Sequence, residues 1–199
     1  MKTPSATPRS RKELTHDRIV EVAARAIRRG GYHGVGVADI MKEAGLTHGG
    51  FYAHFGSRDE MLVEAMQHAA RESGGALMEH VVERESQGES RFVALVQAYL
   101  ADDALDNAEC GCVLSALSSE MFRQEGVVRD EARQRVIGMV NAVRSALPDG
   151  VDNARADAVT ATLIGTMQMA RTLGGKAGKA MLARTREALI SEYEPDRAG

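Results

Sequence analysis

Between Thr15 and Arg29 the apolar residues Ile19, Val20, Ala23, Ala24 and Ile27 recur every three or four positions, the single stripe of an amphipathic helix. Gly30-Gly31 stops it. A second, short helix is predicted from Val37 to Ala44, with Ile40 and Met41 facing inward. Gly45 then supplies a tight turn, and Thr47 is placed to cap a third helix over His48–Phe55. Gly56-Ser57 ends that helix and opens a fourth at Arg58-Asp59-Glu60.

Beyond this point long apolar-periodic stretches alternate with polar punctuation. Breaks are expected at Ser86-Gln87-Gly88, Asp102–Gly111, Gln124-Glu125-Gly126, Pro148-Asp149-Gly150 and Gly174-Gly175, with a break or a kink at Ser73-Gly74-Gly75. After the Pro148 turn, Asp152-Asn153 cap a helix over Ala154–Leu173, rich in Ala and Gly. A last helix covers Lys176–Tyr193. The pattern predicts an all-α chain of about nine helices and no strand. It divides into a flexible basic arm (1–13), a head (14–58) and a larger helical domain (59–199).

Composition agrees: 44% of the 199 residues are hydrophobic, enough for a sizeable core, and Trp is absent. No apolar run approaches the length of a membrane span, no secretory leader is evident, and the two cysteines make no disulfide framework. We therefore expect a cytoplasmic protein. The net charge of −3 argues at first against a polyanion partner, but its distribution reverses that view. Residues 1–58 carry ten Lys or Arg against five acids, a local charge of +5, leaving −8 on the rest.

The stretch Val37–Arg58 carries most chemistry. Two short helices joined by a Gly-containing turn form the skeleton of a DNA-binding helix-turn-helix, in which the second helix presents its first residues to base edges. Those residues are Thr47, His48, Gly49 and Gly50. Small residues there serve either a close approach of backbone to DNA or close packing between helices. Tyr52, His54 and Arg58 offer a phenol, an imidazole and a guanidinium suited to phosphate oxygens, with Phe51 and Phe55 behind them. A solvated His54 would give the same pattern. Arg9, Arg11 and Lys12 of the arm either reach an adjacent groove or only solubilise the terminus.

The run Thr15…Ile19-x3-Ala23…Gly31-Tyr32…Asp39-Ile40…Ala44-Gly45-Leu46-Thr47…Phe51-Tyr52-x-His54-Phe55-x-x-Arg58-x-x-x-Leu62 resembles the N-terminal domain of TetR-family (AcrR-like) regulators over residues 14–66. The resemblance implies a three-helix DNA head, a connecting lever from residue 58, and a homodimer built on the last two helices. It implies a palindromic double-stranded DNA operator, repression relieved by an effector, and no cofactor. Carried over by position, Gly36, Val37, Thr47, His48, Gly49 and Gly50 lie at bases or nearby phosphates, and Tyr52, His54 and Arg58 touch the backbone. The sequence departs from the family at Gly36, where Ser or Thr is usual, at Ile27 in place of Phe, and at Arg58 in place of Lys.

Two features of the remaining chain bear on an effector. Met61, Met66, Met78, Met121, Met139, Met167 and Met169 either line a cavity for an apolar ligand or are ordinary core. Cys110-Gly111-Cys112 sits at the head of a helix predicted over Cys112–Phe122, where a thiolate is favoured. A thiol sensor for oxidants or electrophiles, or two idle thiols, would both look like this. No zinc spacing or other metal pattern accompanies them, and no catalytic motif stands out. The competing readings are a thiol-based redox protein centred on Cys110 and Cys112, and an architectural DNA binder with no effector.

Overall fold

A computed structural model describes residues 10–107, 109–152 and 154–194. Its helices are α1 (Arg11–Gly30), α2 (Val37–Glu43), a 3-10 helix (His48–Ala53), α3 (Arg58–Ser86), α4 (Arg91–Tyr99), a short 3-10 turn (Asp103–Leu105), α5 (Val113–Met121), α6 (Gly126–Ala146), α7 (Ala154–Leu173) and α8 (Gly175–Tyr193). Among the described residues there is no strand, and no helix is long and apolar enough to cross a membrane.

α1 begins earlier than its apolar stripe suggests. Ser10 accepts from the Glu13 amide at 3.2 Å while Glu13 accepts from the Ser10 amide at 2.6 Å, a reciprocal capping box that pulls Arg11 and Lys12 into the first turn. These two side chains therefore belong to a helix and not to an arm. Arg9 of the expected arm, like Asn153 of the expected α7 cap, lies outside the described residues. Asp152 does cap α7, its carboxylate accepting from the Ala154 amide at 2.9 Å.

α3 runs through Ser73-Gly74-Gly75 without a break. Each glycine costs about 1 kcal/mol relative to alanine in a helix interior. Packing at both ends offsets that cost: Met61, Leu62, Ala65, Met66 and Ala69 are buried in one core, and Val81 in another. The first core joins α1, α2, the 3-10 helix and the start of α3 to α5 and the start of α6, through Val113, Leu114, Leu117, Met121, Val128 and Ala132. The second joins the end of α3 to α4, α7, α8 and the end of α6. The head core thus reaches well past residue 58 along the chain.

The methionines are spread over this architecture. Met61, Met66 and Met121 are in the first core, Met167 is in the second, and Met169 is 51% exposed on α7. α7 turns Ala156, Val159, Leu163, Met167 and Ala170 inward and leaves Ala158, Ala161, Met169 and Leu173 facing solvent.

Candidate nucleic-acid interface

The head is set by two turns and an aromatic stack. Gly45 takes φ +71°, a left-handed conformation that lets the chain leave α2 and enter the next helix. Phe51 and Phe55 are buried and stack with centroids 5.4 Å apart, and His16 of α1 stacks on Phe55 at 4.6 Å. His16 Nε2 also meets Glu64 of α3 at 2.7 Å, so α1, the 3-10 helix and α3 are pinned at one point.

The segment expected as an α-helix over His48–Phe55 is a 3-10 helix over His48–Ala53. The Gly50 amide donates to the Thr47 carbonyl at 3.0 Å and the His54 amide to the Phe51 carbonyl at 2.9 Å, the tighter three-residue spacing. Two adjacent glycines give little α propensity to resist this. Thr47 occupies the cap position with extended backbone, but its side chain makes no capping bond. Gly36 likewise caps α2 through backbone alone, accepting from the Asp39 and Ile40 amides at 3.1 Å each. Val37 is half-buried against the head core.

Thr47, His48 and Gly49 are exposed, and Tyr52 is 72% exposed. The two glycines are not spent on packing. A β-carbon at Gly49 would meet nothing within 4 Å, and one at Gly50 would make only ordinary contact with Met41, 3.6 Å away. Neither glycine has positive φ. Of the two explanations for small residues here, close helix packing is removed within this chain, and an open surface remains.

His54 and Arg58 are placed differently from Tyr52. His54 is half-buried, its Nδ1 enclosed without a partner, and burial, helped by nearby His16 and Lys12, lowers its pKa below the usual histidine value. The ring is thus held neutral near pH 7, a hydrogen-bonding group in place of a cation. Arg58, expected to touch the DNA backbone, turns inward and donates to the carbonyls of Tyr32 and Val35, fixing the loop between α1 and α2. The start of α3 is also partly closed to phosphate. Ser57 accepts from the Glu60 amide at 3.1 Å, Glu60 accepts from the Gly56 amide at 2.6 Å, and Asp59 and Glu60 place two carboxylates there. Of the cations counted in the basic head, Lys42 is exposed on α2 and Arg18 is exposed beside the Gly45 turn. Only the folded turn shows that Arg18 reaches it.

Residues 19–65 match the family model described as bacterial regulatory proteins, tetR family. Over these residues the head is of the TetR-family type. A similar protein is YxaF of Bacillus subtilis, described as an uncharacterized HTH-type transcriptional regulator and 28% identical over 111 residues. The match covers 53% of this chain and 56% of YxaF, so the chain spans about half the length of the curated relatives it matches. The fold is shared more widely. A TetR-family regulator from Cytophaga hutchinsonii superposes with a TM-score of 0.76 at 18% identity, covering 94% of this chain and 98% of that one. FadR from Bacillus subtilis, solved in complex with stearoyl-CoA, gives 0.60 at 18% identity, covering 88% and 98%.

In the other half of the chain, Cys110 is exposed and Cys112, half-buried, occupies the cap position of α5; both are free thiols. Around Cys112 the fold gathers Tyr99 from α4, Ser115 from α5 and Arg171 from α7, none of which the sequence singles out. The same loop is tied to the head. Arg28 of α1, buried, donates to the Gly111 carbonyl at 3.3 Å and to Glu72 at 2.6 Å, and Arg29 pairs with Glu109 at 3.3 Å and Glu43 at 3.1 Å. Glu120 of α5 accepts from the Tyr32 amide at 2.9 Å. Among the described residues no group of three or more His, Cys, Asp or Glu could hold a metal ion.

Proposed function

We propose that this protein is a homodimeric, DNA-binding transcriptional repressor that lays residues 47–52 into the major groove of a palindromic operator. The observation that carries this reading is the unused glycine pair. Gly49 and Gly50 serve neither turn nor packing in the chain, yet they sit at the exposed start of the helix that follows an Ala44-Gly45 turn. Thr47 and His48 would read base edges, and Gly49 and Gly50 would let the backbone come close. Tyr52 and neutral His54 would donate to phosphates, and the exposed Arg18 and Lys42 would add sequence-independent attraction. Gly36 and Val37 would lie by the backbone at the start of α2. Arg58 would act by holding the α1–α2 loop in place.

The exposed Ala158, Ala161, Met169 and Leu173 of α7 suit a close seam with a second copy, formed with α8. Two-fold symmetry then sets half-sites about 34–36 Å apart, or a multiple. The effector would act in the larger half, either as a small apolar ligand or through the thiols of Cys110-Gly111-Cys112. An open groove of about 400 Å³ between α5 and α6, lined by Met121, Phe122, Val136 and Ile137 together with Arg129 and Arg133, has the size for a ligand with an apolar body. The structurally similar FadR, solved in complex with stearoyl-CoA, lends support to an effector with a long apolar chain.

The test is fluorescence anisotropy at fixed salt with duplexes selected from a randomised library by the reduced protein, beside a scrambled duplex of equal length. Selection of a palindrome, bound much more tightly than the scrambled control, is expected. Failure to enrich any sequence, with equal weak binding to both duplexes, would refute the repressor assignment.

A further inference from the structure

Cys112 stands where the two cores meet. Among the described half-buried apolar residues, only Cys112 and Met139 pack against both clusters. A change of size or charge at this sulfur is therefore felt on both sides.

The groups around it are unusual for a protein interior. Tyr99 is 6% exposed, and its hydroxyl is enclosed beside the Cys112 thiol and the Ser115 hydroxyl, interacting with both but meeting neither in good hydrogen-bond geometry. Arg171 donates from Nη1 to Ser115 at 3.1 Å and from Nη2 to the Ala104 carbonyl at 3.3 Å, and its Nε is buried without a partner. Among the described residues no carboxylate lies within ion-pair distance of Arg171. The guanidinium also packs so closely on Gly111 that a side chain there would collide with it.

An unsatisfied buried donor costs about 1–3 kcal/mol and calls for an explanation. Here an enclosed hydroxyl and an uncompensated positive charge lie beside one thiol, and Arg171 carries a further buried N–H without a partner. Burial pushes the Tyr99 phenol well above its ordinary value, so it stays an O–H donor, and Arg171, although burial lowers its pKa, stays charged near neutral pH. Together they complement an anion placed one atom beyond the Cys112 sulfur.

We propose that Cys112 is an oxidation site for small hydroperoxides, and that Tyr99 and Arg171 hold the sulfenate it becomes. The Cys112 thiolate attacks one peroxide oxygen, an S–O bond forms, and the O–O bond breaks. The departing alkoxide takes up the proton that the thiol gave, and leaves as the alcohol, or as water from hydrogen peroxide. Sulfur loses two electrons and the peroxide gains two. The sulfenic acid then releases its proton to solvent against the Arg171 charge, and the anion accepts from Tyr99 and Arg171 Nε. Cys110, exposed and outside this cluster, is not the reacting residue.

The signal has a short path. An oxygen added at Cys112 displaces the loop that Arg28 grips at Gly111 and Arg29 grips at Glu109, and these two residues end α1, the helix on which the DNA head is packed. The regulatory half of the proposal rests on the repressor assignment above; the chemical half does not.

The experiment treats full-length protein with hydrogen peroxide, traps sulfenate with dimedone, and locates the adduct by mass spectrometry. In parallel it reads affinity for the library-selected duplex and amide exchange over Arg28–Tyr32. We expect the adduct on Cys112, faster exchange at the end of α1, and operator binding weakened about 5–150-fold, the range of ordinary allosteric coupling. Cys112→Ser or Cys112→Ala loses all three effects and Cys110→Ser keeps them. Tyr99→Phe and Arg171→Lys, checked for an unchanged melting curve, shorten the lifetime of the sulfenate and divert it to the sulfinate.

An adduct on Cys110 alone, or a sulfenate lifetime indifferent to Tyr99→Phe and Arg171→Lys, would overturn the site. A Cys112 adduct that alters neither exchange nor affinity would overturn the switch. If the reduced protein selects no duplex, the repressor assignment fails, while the adduct and the exchange data still decide the thiol chemistry.

Discussion

Gly49→Ala separates a surface used for DNA from one used for folding, because the two demands have opposite signs there. The new methyl meets nothing within 4 Å, and Gly49 has no positive φ to strain. Replacing glycine at a compatible position narrows the unfolded ensemble and stabilises a fold by about 0.4–1 kcal/mol. For a chain of this size that raises Tm by about 1–4 °C. On DNA the same methyl would stand between the helix backbone and the base edges. Disturbing one base contact costs about 1–3 kcal/mol, and a symmetric dimer meets the change twice. A total of about 2 kcal/mol or more weakens Kd roughly 30-fold.

Gly74→Ala in α3 is the control, since a β-carbon there also meets nothing within 4 Å. It should gain similar stability and bind DNA as the parent does. Thermal unfolding by circular dichroism and anisotropy titration at fixed salt give both quantities for each variant. A Gly49→Ala protein that melts higher and binds operator unchanged would refute the claim that this segment approaches DNA. One that melts lower would refute the conformation assigned to it.

Four further outcomes follow from the same geometry. Tyr52→Phe should leave Tm unaltered, because the side chain is 72% exposed, and should weaken all duplexes alike by about 0.5–1.5 kcal/mol per lost bond; a loss confined to one sequence would assign Tyr52 to base reading. Gly31→Ala should lower the urea midpoint by an amount worth about 1–3 kcal/mol, since φ is +72° and the new methyl would strike the Glu120 carboxylate. An unshifted midpoint would remove that strain. Arg58→Gln should cost about 1.5–3 kcal/mol of stability through the lost charged donor to Tyr32 and Val35; a variant equally stable but impaired on DNA would show the side chain facing outward. Stability should decline with acid where His54 is concerned. Its folded pKa lies below the unfolded value, so the unfolded chain takes up the proton first, and the contribution is full above about pH 6.5 and lost as pH falls. Denaturant midpoints across pH should show that slope in the parent and less of it in His54→Gln.

Much of the head was legible because its signals are local. The stripe Ile19, Val20, Ala23, Ala24, Ile27 is buried as its spacing demands, and the Ala44-Gly45 turn separates the two short helices as composition suggests. The errors have identifiable causes. Ser10 and Glu13 form a capping box that a Ser- and Pro-rich neighbourhood conceals, so α1 begins at Arg11. Gly49-Gly50 settle between α and 3-10 geometry by a margin that propensity does not resolve. Ser73-Gly74-Gly75 looks like a stop, and only packing at both ends keeps α3 whole. Arg58 reads as an outward cation until two carbonyls, more than twenty positions away, are brought beside it. Tyr99 and Arg171 lie 13 and 59 positions from Cys112 along the chain, on two other helices, and no local pattern connects them.

The placement of α5 also bears on how the protein is made. Val113, Leu114, Leu117 and Met121, with Val128 and Ala132 of α6, complete the core that holds α1 to α3. An N-terminal fragment ending near residue 66 would leave that apolar surface bare and should fold poorly alone. On the ribosome the head must wait for roughly 66 more residues, a delay of about 3–13 s at ordinary elongation rates. During that interval the basic N-terminal segment is unfinished and cannot engage DNA. Completion of the head core is therefore tied to synthesis of α5 and α6, and a chain truncated before α6 should be a poor competitor for the proposed operator.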